Sequence, residues 1–87
     1  MSIAHGTSIL SEEHKYSDLN QNIKDQGCEL KETIIENNVW IGAGCRILAG
    51  SHIESGSIVA AGAVVKKRVK ANSIVGGVPA RMIKSRI

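Results

Sequence analysis

The stretch that decides the fold is residues 41–65, which read IGAGCR ILAGSH IESGSI VAAGAV V when divided every six residues. An aliphatic residue opens every block, and glycine is the fourth residue of each complete block. The opening residues are Ile41, Ile47, Ile53, Val59 and Val65. An amphipathic helix would place apolar residues every three to four positions, and a lone strand every two. A period of six predicts a chain that turns a corner every six residues, which is typical of parallel β-helices.

Three positions of each block have distinct physical roles. The opening residue is expected to point inward and to stack on its equivalent one coil away. The fifth residue, from Val39 to Val69, also faces the narrow interior and is small or moderate in size. The fourth residue makes the corner with a positive φ, which glycine and asparagine tolerate. In this pattern Asn38 and Arg68 stand at corners, the coil ends near Val69, and residues 35–70 hold about two coils.

The pattern extends upstream and is then interrupted. Ile3 and Ile9 also open blocks of six, whereas residues from about 15 to 28 are polar and show no period. This segment predicts a loop extruded from one corner of the coil. Beyond the coil, residues of about 71–87 predict a turn and a short tail with a helix, for which Pro79 suits the first turn.

The composition fits one thin all-β domain that spans residues 1–87. Hydrophobic residues make up 43% of the chain but aromatic residues only 2%, which suits a narrow core of Ile, Val and Ala. Every acidic residue lies at or before Glu54. The basic residues beyond it are Lys66, Lys67, Arg68, Lys70, Arg81, Lys84 and Arg86. This asymmetry predicts a phosphate-bearing partner, with a solvated surface as the alternative.

Other classes of partner find little support in the sequence. The only aromatic residues are Tyr16 and Trp40, too few for the base-stacking surface of a nucleic-acid-binding protein. No segment is long and apolar enough to span a membrane, and no signal peptide is recognised. Cys28 and Cys45 indicate neither a disulfide framework nor a zinc site. We therefore expect a cytoplasmic protein in which Cys45 is a core residue and Cys28 a loop thiol.

Two segments resemble the hexapeptide-repeat acyltransferase family: IIENNVWIGAGCRILAG at 34–50 and AAGAVVKKRVKANSIVGGVPARMIK at 60–84. The NVWIG and GVPARMI motifs are similar to those of the sugar O-acetyltransferases, which include the galactoside and maltose acetyltransferases. The resemblance implies a left-handed parallel β-helix and a homotrimer with active sites between neighbouring subunits. It also implies acetyl-CoA as donor and a hydroxyl group of a sugar or similar compound as acceptor.

The resemblance assigns a general base. In the family a histidine at the start of the extruded loop has this role, and SEEHKYSD places His14 there. Histidine suits the chemistry because it titrates near neutrality and can take a hydroxyl proton during attack on the thioester. On spacing alone, a solvated histidine beside Glu12 and Glu13 is the alternative. The group that orients His14 stays open, with Glu12, Glu13 and Asp18 as neighbours in sequence.

Six residues match the family's coenzyme-contacting positions: Ala43, Ala61, Lys66, Lys67, Arg81 and Lys84. The two alanines would let the pantetheine arm lie along the coil, although corner packing alone also explains them. The paired lysines match a coenzyme-contacting pair that follows the last coil in the family. The terminal arginine and lysine match a segment whose basic residues approach the nucleotide phosphates in the family. Trp40 matches a family tryptophan that either borders the cleft or packs at the trimer interface.

Three functions stay open at this point. The first is an acetyl-CoA-dependent O-acetyltransferase. The second is a catalytically weak or silent truncated β-helix that serves as a trimeric interaction module, because related enzymes carry further coils before the histidine. The third is a metal hydratase like the gamma-class carbonic anhydrases, which needs three histidines on zinc. The spacing of His5, His14 and His52 does not resemble that class, so no metal is expected, and His5 and His52 are interpreted as surface residues.

The first coil also predicts a higher assembly. Its open end would expose unpaired backbone groups together with the side chains of Ile3 and Ile9. An uncovered sheet edge is a template for another chain, and closed symmetry allows two trimers to stack end to end. A dimer of trimers is therefore expected beyond the trimer itself.

Overall fold

The computed structural model describes residues 1–15 and 17–87, and its regular structure is almost entirely strand. The strands are β1 (Ser2–Ile3), β2 (Ser8–Ile9), β3 (Glu12–His14), β4 (Cys28–Leu30), β5 (Ile34–Ile35), β6 (Trp40–Ile41), β7 (Arg46–Ile47), β8 (His52–Ile53), β9 (Ile58–Val59), β10 (Val64–Val65), β11 (Arg68–Val69), β12 (Ser73–Gly76) and β13 (Arg81–Ser85). One 3₁₀ turn covers Ile23–Asp25. In the described part of the chain, no helix has the length and apolarity needed to cross a membrane.

The short strands stack in parallel on three faces of a prism. The first face contains β1, β6, β9 and β12, the second β2, β7 and β10, and the third β5, β8 and β11. Each opening residue pairs with the opening residue one coil away, as Ile41 does with Ile3 and Val59. The predicted left-handed parallel β-helix is therefore confirmed, with the first coil closed by β5 after the interruption.

The core is a column of opening residues flanked by small side chains. Ile41, Ile47 and Ile53 have no exposed surface. The small fifth residues that are fully buried are Cys45, Ser51, Ser57 and Ala63. The Ser57 hydroxyl donates to the Lys70 carbonyl at 2.9 Å, and Ser51 has similar backbone partners. Serine can therefore occupy this interior because its polar atom is satisfied by the neighbouring coil.

The corners have the predicted backbone conformation. Their positive-φ residues are Gly6, Asn38, Gly44, Gly50, Gly56, Gly62 and Asn72. At Gly62 the φ angle is 75°, where a side chain would bring its Cβ too close to the following carbonyl. The two corners without glycine carry Asn38 and Asn72, and asparagine tolerates this conformation better than most residues.

The prediction for the last corner is wrong. Arg68 is not a corner residue but the first residue of β11, opposite His52. Val69 pairs with Ile53 and is therefore an opening residue, not a fifth residue. Pairing decides the register here, because Val69 can fill the apolar interior at this level whereas an arginine could not. Asn72, with φ 59°, makes the corner in its place.

The predicted loop is a structured arm, which we define as residues 12–30. It leaves the prism between the second and third faces, and β3 and β4 pair in antiparallel fashion along its base. Thr33 fastens the returning chain, because its hydroxyl donates to the Leu10 carbonyl at 2.7 Å and accepts from the Gly50 amide at 3.2 Å. The predicted bounds of about 15–28 contain Cys28 but not the other residues of the two hairpin strands, and Tyr16 lies outside the described residues.

The predicted tail is present, but the helix expected in it is wrong. Residues 77–80, which include Pro79, form a turn, and the chain then returns as β13. This strand pairs antiparallel with β12, with Ile74 opposite Lys84. The physical reason is that β12 is the last parallel strand of the first face, and a returning strand satisfies its free backbone groups, which a helix would leave unpaired.

Candidate functional site

His14 ends β3 and is exposed on the arm. Its Nδ1 atom lies 3.7 Å from the Sγ atom of Cys28, which is directly opposite in β4. The bond from the Lys15 amide to the Gly27 carbonyl shows that residues 15 and 27 form a hydrogen-bonded pair. His14 and Cys28 are therefore a non-hydrogen-bonded pair, the kind in which opposite side chains come closest.

The acidic residues near His14 in sequence are engaged elsewhere. Glu13 lies on the opposite side of β3 and forms an ion pair with Lys31, with a separation of 2.5 Å. Asp18 accepts a hydrogen bond of 2.9 Å from the Asn20 amide within its own turn. Sequence reasoning missed Cys28 because an aperiodic segment does not reveal which residues face each other across a hairpin.

An open cleft of about 300 Å³ lies beside the base of the arm. Its lining residues are Glu13, His14, Lys15, Ser17, Glu29 and Lys31. The cleft combines an imidazole with charges of both signs, so a polar molecule could approach His14 from solvent. We call this the histidine cleft.

Ala43 and Ala61 lie on consecutive coils at the corner between the first and second faces. They are stacked, since the Gly62 amide donates to the Ala43 carbonyl at 2.9 Å. A Cβ atom on Gly42 would lie only 2.7 Å from the Ala61 nitrogen. The backbone of the two coils is thus in close contact here, and small side chains leave it accessible.

A second cleft, of about 250 Å³, lies where the chain leaves the last coil. Its lining residues are Val65, Lys66, Lys67, Arg68, Val69, Lys70, Ser73, Val75, Ala80, Arg81 and Met82. The floor is apolar and the rim is basic, and we call it the basic cleft. Three of the four predicted basic residues, Lys66, Lys67 and Arg81, meet here. Lys84 lies outside it, on β13 opposite Ile74.

The charges of the basic cleft are only partly neutralised. Arg68 forms an ion pair with Glu54, and its hydrogen bond is the main reason that the pKa of Glu54 lies below its ordinary value. Among residues 1–15 and 17–87, no ion pair is found for Lys66, Lys67 or Arg81. These three cations could therefore attract an anionic ligand.

His52 is not the simple surface residue that the sequence suggested. It is half-buried on the third face, and its Nε2 atom contacts the Glu36 carboxylate. The other oxygen of Glu36 accepts from the Ser55 amide at 3.2 Å and hydroxyl at 3.1 Å. The hydrogen bond from His52, followed by those from Ser55, holds the pKa of Glu36 below its ordinary value. This cluster fastens consecutive coils together.

The histidines do not come together at a metal site. His14 is on the arm, His52 is on the third face, and His5 is at an exposed corner. In the part of the chain that the structure describes, no group of three His, Cys, Asp or Glu side chains could hold a metal ion. The metal-hydratase alternative therefore finds no ligand set in this geometry.

The predicted base and donor residues occupy three separate places on one subunit. The histidine cleft and the basic cleft share no lining residue, and neither is lined by Ala43 or Ala61. Within the residues described, one copy of the chain does not gather them into a single pocket.

A parallel β-helix of six-residue turns with an extruded arm is the architecture that the six-residue period predicts. The family model described as "Bacterial transferase hexapeptide (six repeats)" matches residues 32–67. A 2,3,4,5-tetrahydropyridine-2,6-dicarboxylate N-acetyltransferase from Clostridium perfringens is 54% identical over 52 residues, which are 60% of this chain and 22% of that protein. The match thus spans only about a fifth of this relative's length.

Solved structures extend the similarity over the whole prism. A hexapeptide-repeat acetyltransferase from Vibrio cholerae O1 biovar eltor, complexed with acetyl coenzyme A, aligns with a TM-score of 0.84 and 33% identity over 93% of this chain and 43% of that one. A galactoside acetyltransferase in complex with coenzyme A aligns with a TM-score of 0.86 and 27% identity. The alignment covers 99% of this chain and 42% of that one. The predicted resemblance to the hexapeptide-repeat acyltransferases is confirmed.

Proposed function

We propose that the chain is an acetyltransferase that uses acetyl-CoA and acts on a hydroxyl group of a sugar or similar compound. The observation that carries this proposal is the exposed His14 at a cleft on the arm, in a prism similar to an acetyltransferase complexed with acetyl coenzyme A. His14 is the general base, and Ala43, Ala61 and the basic residues bind the donor.

The reaction follows from the chemistry of the side chain. A lone pair of the His14 imidazole takes the proton of the acceptor hydroxyl as its oxygen attacks the thioester carbonyl. The C–S bond then breaks, and the coenzyme leaves as a thiol after it receives the proton. The products are an acetyl ester and free CoA, so no metal or redox step is required.

The donor would be held along its length by different parts of the chain. At the corner of Ala43 and Ala61, small side chains leave room for the pantetheine arm beside the backbone. Lys66, Lys67 and Arg81 at the basic cleft, with Lys84 on β13, would meet the phosphates. Attraction between exposed charges is modest and salt-dependent, so several contacts are needed for useful affinity.

The active assembly in this proposal is a homotrimer. Its support is the separation of the histidine cleft from the donor residues, which a neighbouring copy would bridge. A dimer of trimers stays a prediction. A cytoplasmic setting agrees with the free thiols of Cys28 and Cys45.

A second function is favoured by one observation. The chain spans about a fifth of its Clostridium perfringens relative and less than half of the aligned acetyltransferase structures. Acceptor contacts in such proteins could come from parts that have no counterpart in these 87 residues. The alternative is therefore a trimeric β-helix that is catalytically weak or silent and serves as an interaction module.

Calorimetry and a product assay together separate these possibilities. CoA binding should be measured at low salt, and acetyl-CoA should be incubated with a panel of sugars and amino sugars, with products identified by mass spectrometry. Acetylated hydroxyl products would support the proposal, and amide products alone would change the acceptor class to amines. Binding without any product favours the interaction module, whereas absence of both would remove the acetyltransferase assignment.

A further inference from the structure

We propose that Cys28 is the positioning residue of His14. In this arrangement the Nδ1–H group of His14 donates a hydrogen bond to the Cys28 sulfur. The imidazole is then held in the tautomer whose Nε2 lone pair is available as the base. The catalytic consequence rests on the proposed function, but the contact and the tautomer do not.

The antiparallel register makes the contact a built feature of the arm. His14 and Cys28 are directly opposite each other in β3 and β4, in a pair whose side chains project to the same side. The Nδ1–Sγ distance of 3.7 Å is within the range of a hydrogen bond to sulfur. Two backbone hydrogen bonds hold the strands in this register, one from the Lys31 amide to the Ser11 carbonyl and one from the Lys15 amide to the Gly27 carbonyl. The hairpin therefore fixes both partners, and the ring rotation is restrained by the sulfur.

The other polar groups around the ring do not provide such a contact. Glu13 and Lys31 pair with each other on the opposite side of the hairpin, and Asp18 caps its own turn. Glu12 is on the same side as His14 but faces Leu30 across the hairpin. Among the described residues, no hydrogen bond to Nε2 of His14 is found. Within those residues, Cys28 is thus the hydrogen-bond partner of the ring.

The direction of the hydrogen bond decides which nitrogen can act as a base. A neutral imidazole has one donor and one acceptor nitrogen, and a thiol can be a weak donor or a weak acceptor. If the thiol donated to Nδ1, the proton would sit on Nε2 and no lone pair would face solvent there. If Nδ1 donates to sulfur, the solvent-facing Nε2 is the acceptor. The two directions therefore give opposite tautomers, which a measurement can separate.

Nitrogen-15 NMR of the intact protein, at a pH where the ring is neutral, tests the assignment directly. In wild type, the His14 nitrogens should show the Nδ1–H tautomer in excess. Cys28→Ala should move them towards a mixture of tautomers. Cys28→Ser should restore the wild-type pattern, since a hydroxyl oxygen also accepts. Leu30→Ala is the matched control, because Leu30 is on the same strand and side of the hairpin as Cys28 but is opposite Glu12 rather than His14.

Two NMR outcomes would overturn the proposal. One is an Nε2–H tautomer in wild type, and the other is an unchanged His14 spectrum in Cys28→Ala. If Leu30→Ala shifted the tautomer as much as Cys28→Ala, the effect would belong to the hairpin as a whole and the assignment would also fail.

An activity measurement adds the catalytic consequence. The kcat of Cys28→Ala should fall about 2- to 10-fold, the size of one ordinary hydrogen bond, with KM for acetyl-CoA unchanged. Cys28→Ser should recover most of the rate, and an unaltered kcat in Cys28→Ala would refute the positioning role. Wild type without acetyl transfer would defeat the proposed function, yet the NMR comparison would still decide whether Cys28 fixes the tautomer.

Discussion

Val65 and Val69 are opening residues of successive faces, although Val69 follows Val65 by only four positions. The earlier opening residues, from Ile35 to Val65, follow one another every six positions. The shortened step places Lys66 and Lys67 in the exposed connection between β10 and β11, directly before Arg68 at the start of β11. Arg68 is neutralised by Glu54, so the two lysines provide the uncompensated charge. The irregularity in the coil therefore creates the basic rim of the cleft.

The first prediction concerns this rim. Lys66→Ala and Lys67→Ala should each weaken CoA binding about 2- to 5-fold, as expected for loss of an exposed charge contact worth up to about 1 kcal/mol. The loss should be larger in dilute buffer than at about 1 M salt, where the screening length falls to about 3 Å. Isothermal calorimetry at two salt concentrations measures both effects.

Lys24→Ala is the matched control, because it removes the same charge from the 3₁₀ turn of the arm. An equal loss of affinity in this variant would show that only the net charge of the protein matters. The basic cleft would then have no specific part in binding CoA.

Much of the fold could be predicted because its period is set by local chemistry. Each corner needs a positive φ and each inward position a particular size, so the residues at Gly44 and Cys45 reveal their roles without tertiary information. The step at Arg68 could not be predicted in this way, because it depends on pairing with β8 one coil away. The tail strand depends similarly on a free edge of β12, which is visible only in three dimensions.

The candidate site also has a part that the sequence predicts and a part that depends on three-dimensional pairing. The positions of His14 and the basic residues follow from motifs, and their chemistry follows from residue type. The contacts of Cys28 with His14 and of Glu36 with His52 join residues 14 and 16 positions apart without a periodic signal. Such pairs depend on strand register, which short aperiodic segments do not specify.

The second prediction tests whether the corner residues require a positive φ. Gly62 has φ 75°, and a Cβ atom there would meet nothing within 4 Å, so a substitution measures backbone strain without a steric clash. Gly62→Val should lower the free energy of unfolding by at least about 1–2 kcal/mol. Gly62→Asn should cost clearly less, as the chain itself uses asparagine at Asn38 and Asn72. Urea denaturation compares them, and equal losses would disprove a positive-φ requirement.

The third prediction concerns acid stability. The hydrogen bond from His52, and then those from Ser55, lower the pKa of Glu36 from 4.5. The folded state thus favours the ionised carboxylate, and this stabilisation is present above pH 4.5 and lost as the pH falls through the lowered pKa. Glu36→Gln should be less stable at neutral pH and lose less stability on acidification. Glu12→Gln, an exposed control, should follow the wild-type profile in thermal melts from about pH 7 to pH 3.

The fourth prediction concerns the base. His14→Ala should lower kcat for acetyl transfer by about 10² to 10⁴, the usual contribution of a general base, because no other group would take the acceptor proton. Stability and CoA affinity should change little, since the side chain is exposed on the arm. His5→Ala removes an exposed histidine from another corner and should retain the rate. Full activity in His14→Ala would exclude it as the base.

The last prediction concerns assembly and uses Trp40, the one tryptophan of the chain. Trp40 projects outward from the first face between Ser2 and Ile58, and 57% of its surface is exposed in the isolated subunit. An exposed aromatic side chain of this size is a strong candidate for burial between subunits. At micromolar concentration we expect light scattering to give three times the chain mass of 9.3 kDa.

Dilution should dissociate the trimer and shift Trp40 emission to longer wavelength, because the indole would become exposed to water. Trp40→Lys should give a lower mass by light scattering, since an ammonium group in an apolar interface is costly. Ile87→Lys is the matched control, because Ile87 is 95% exposed at the chain end and should not affect assembly. A wild-type mass of one chain at micromolar concentration would rule out the trimer, and with it the proposal that the active site is shared between copies.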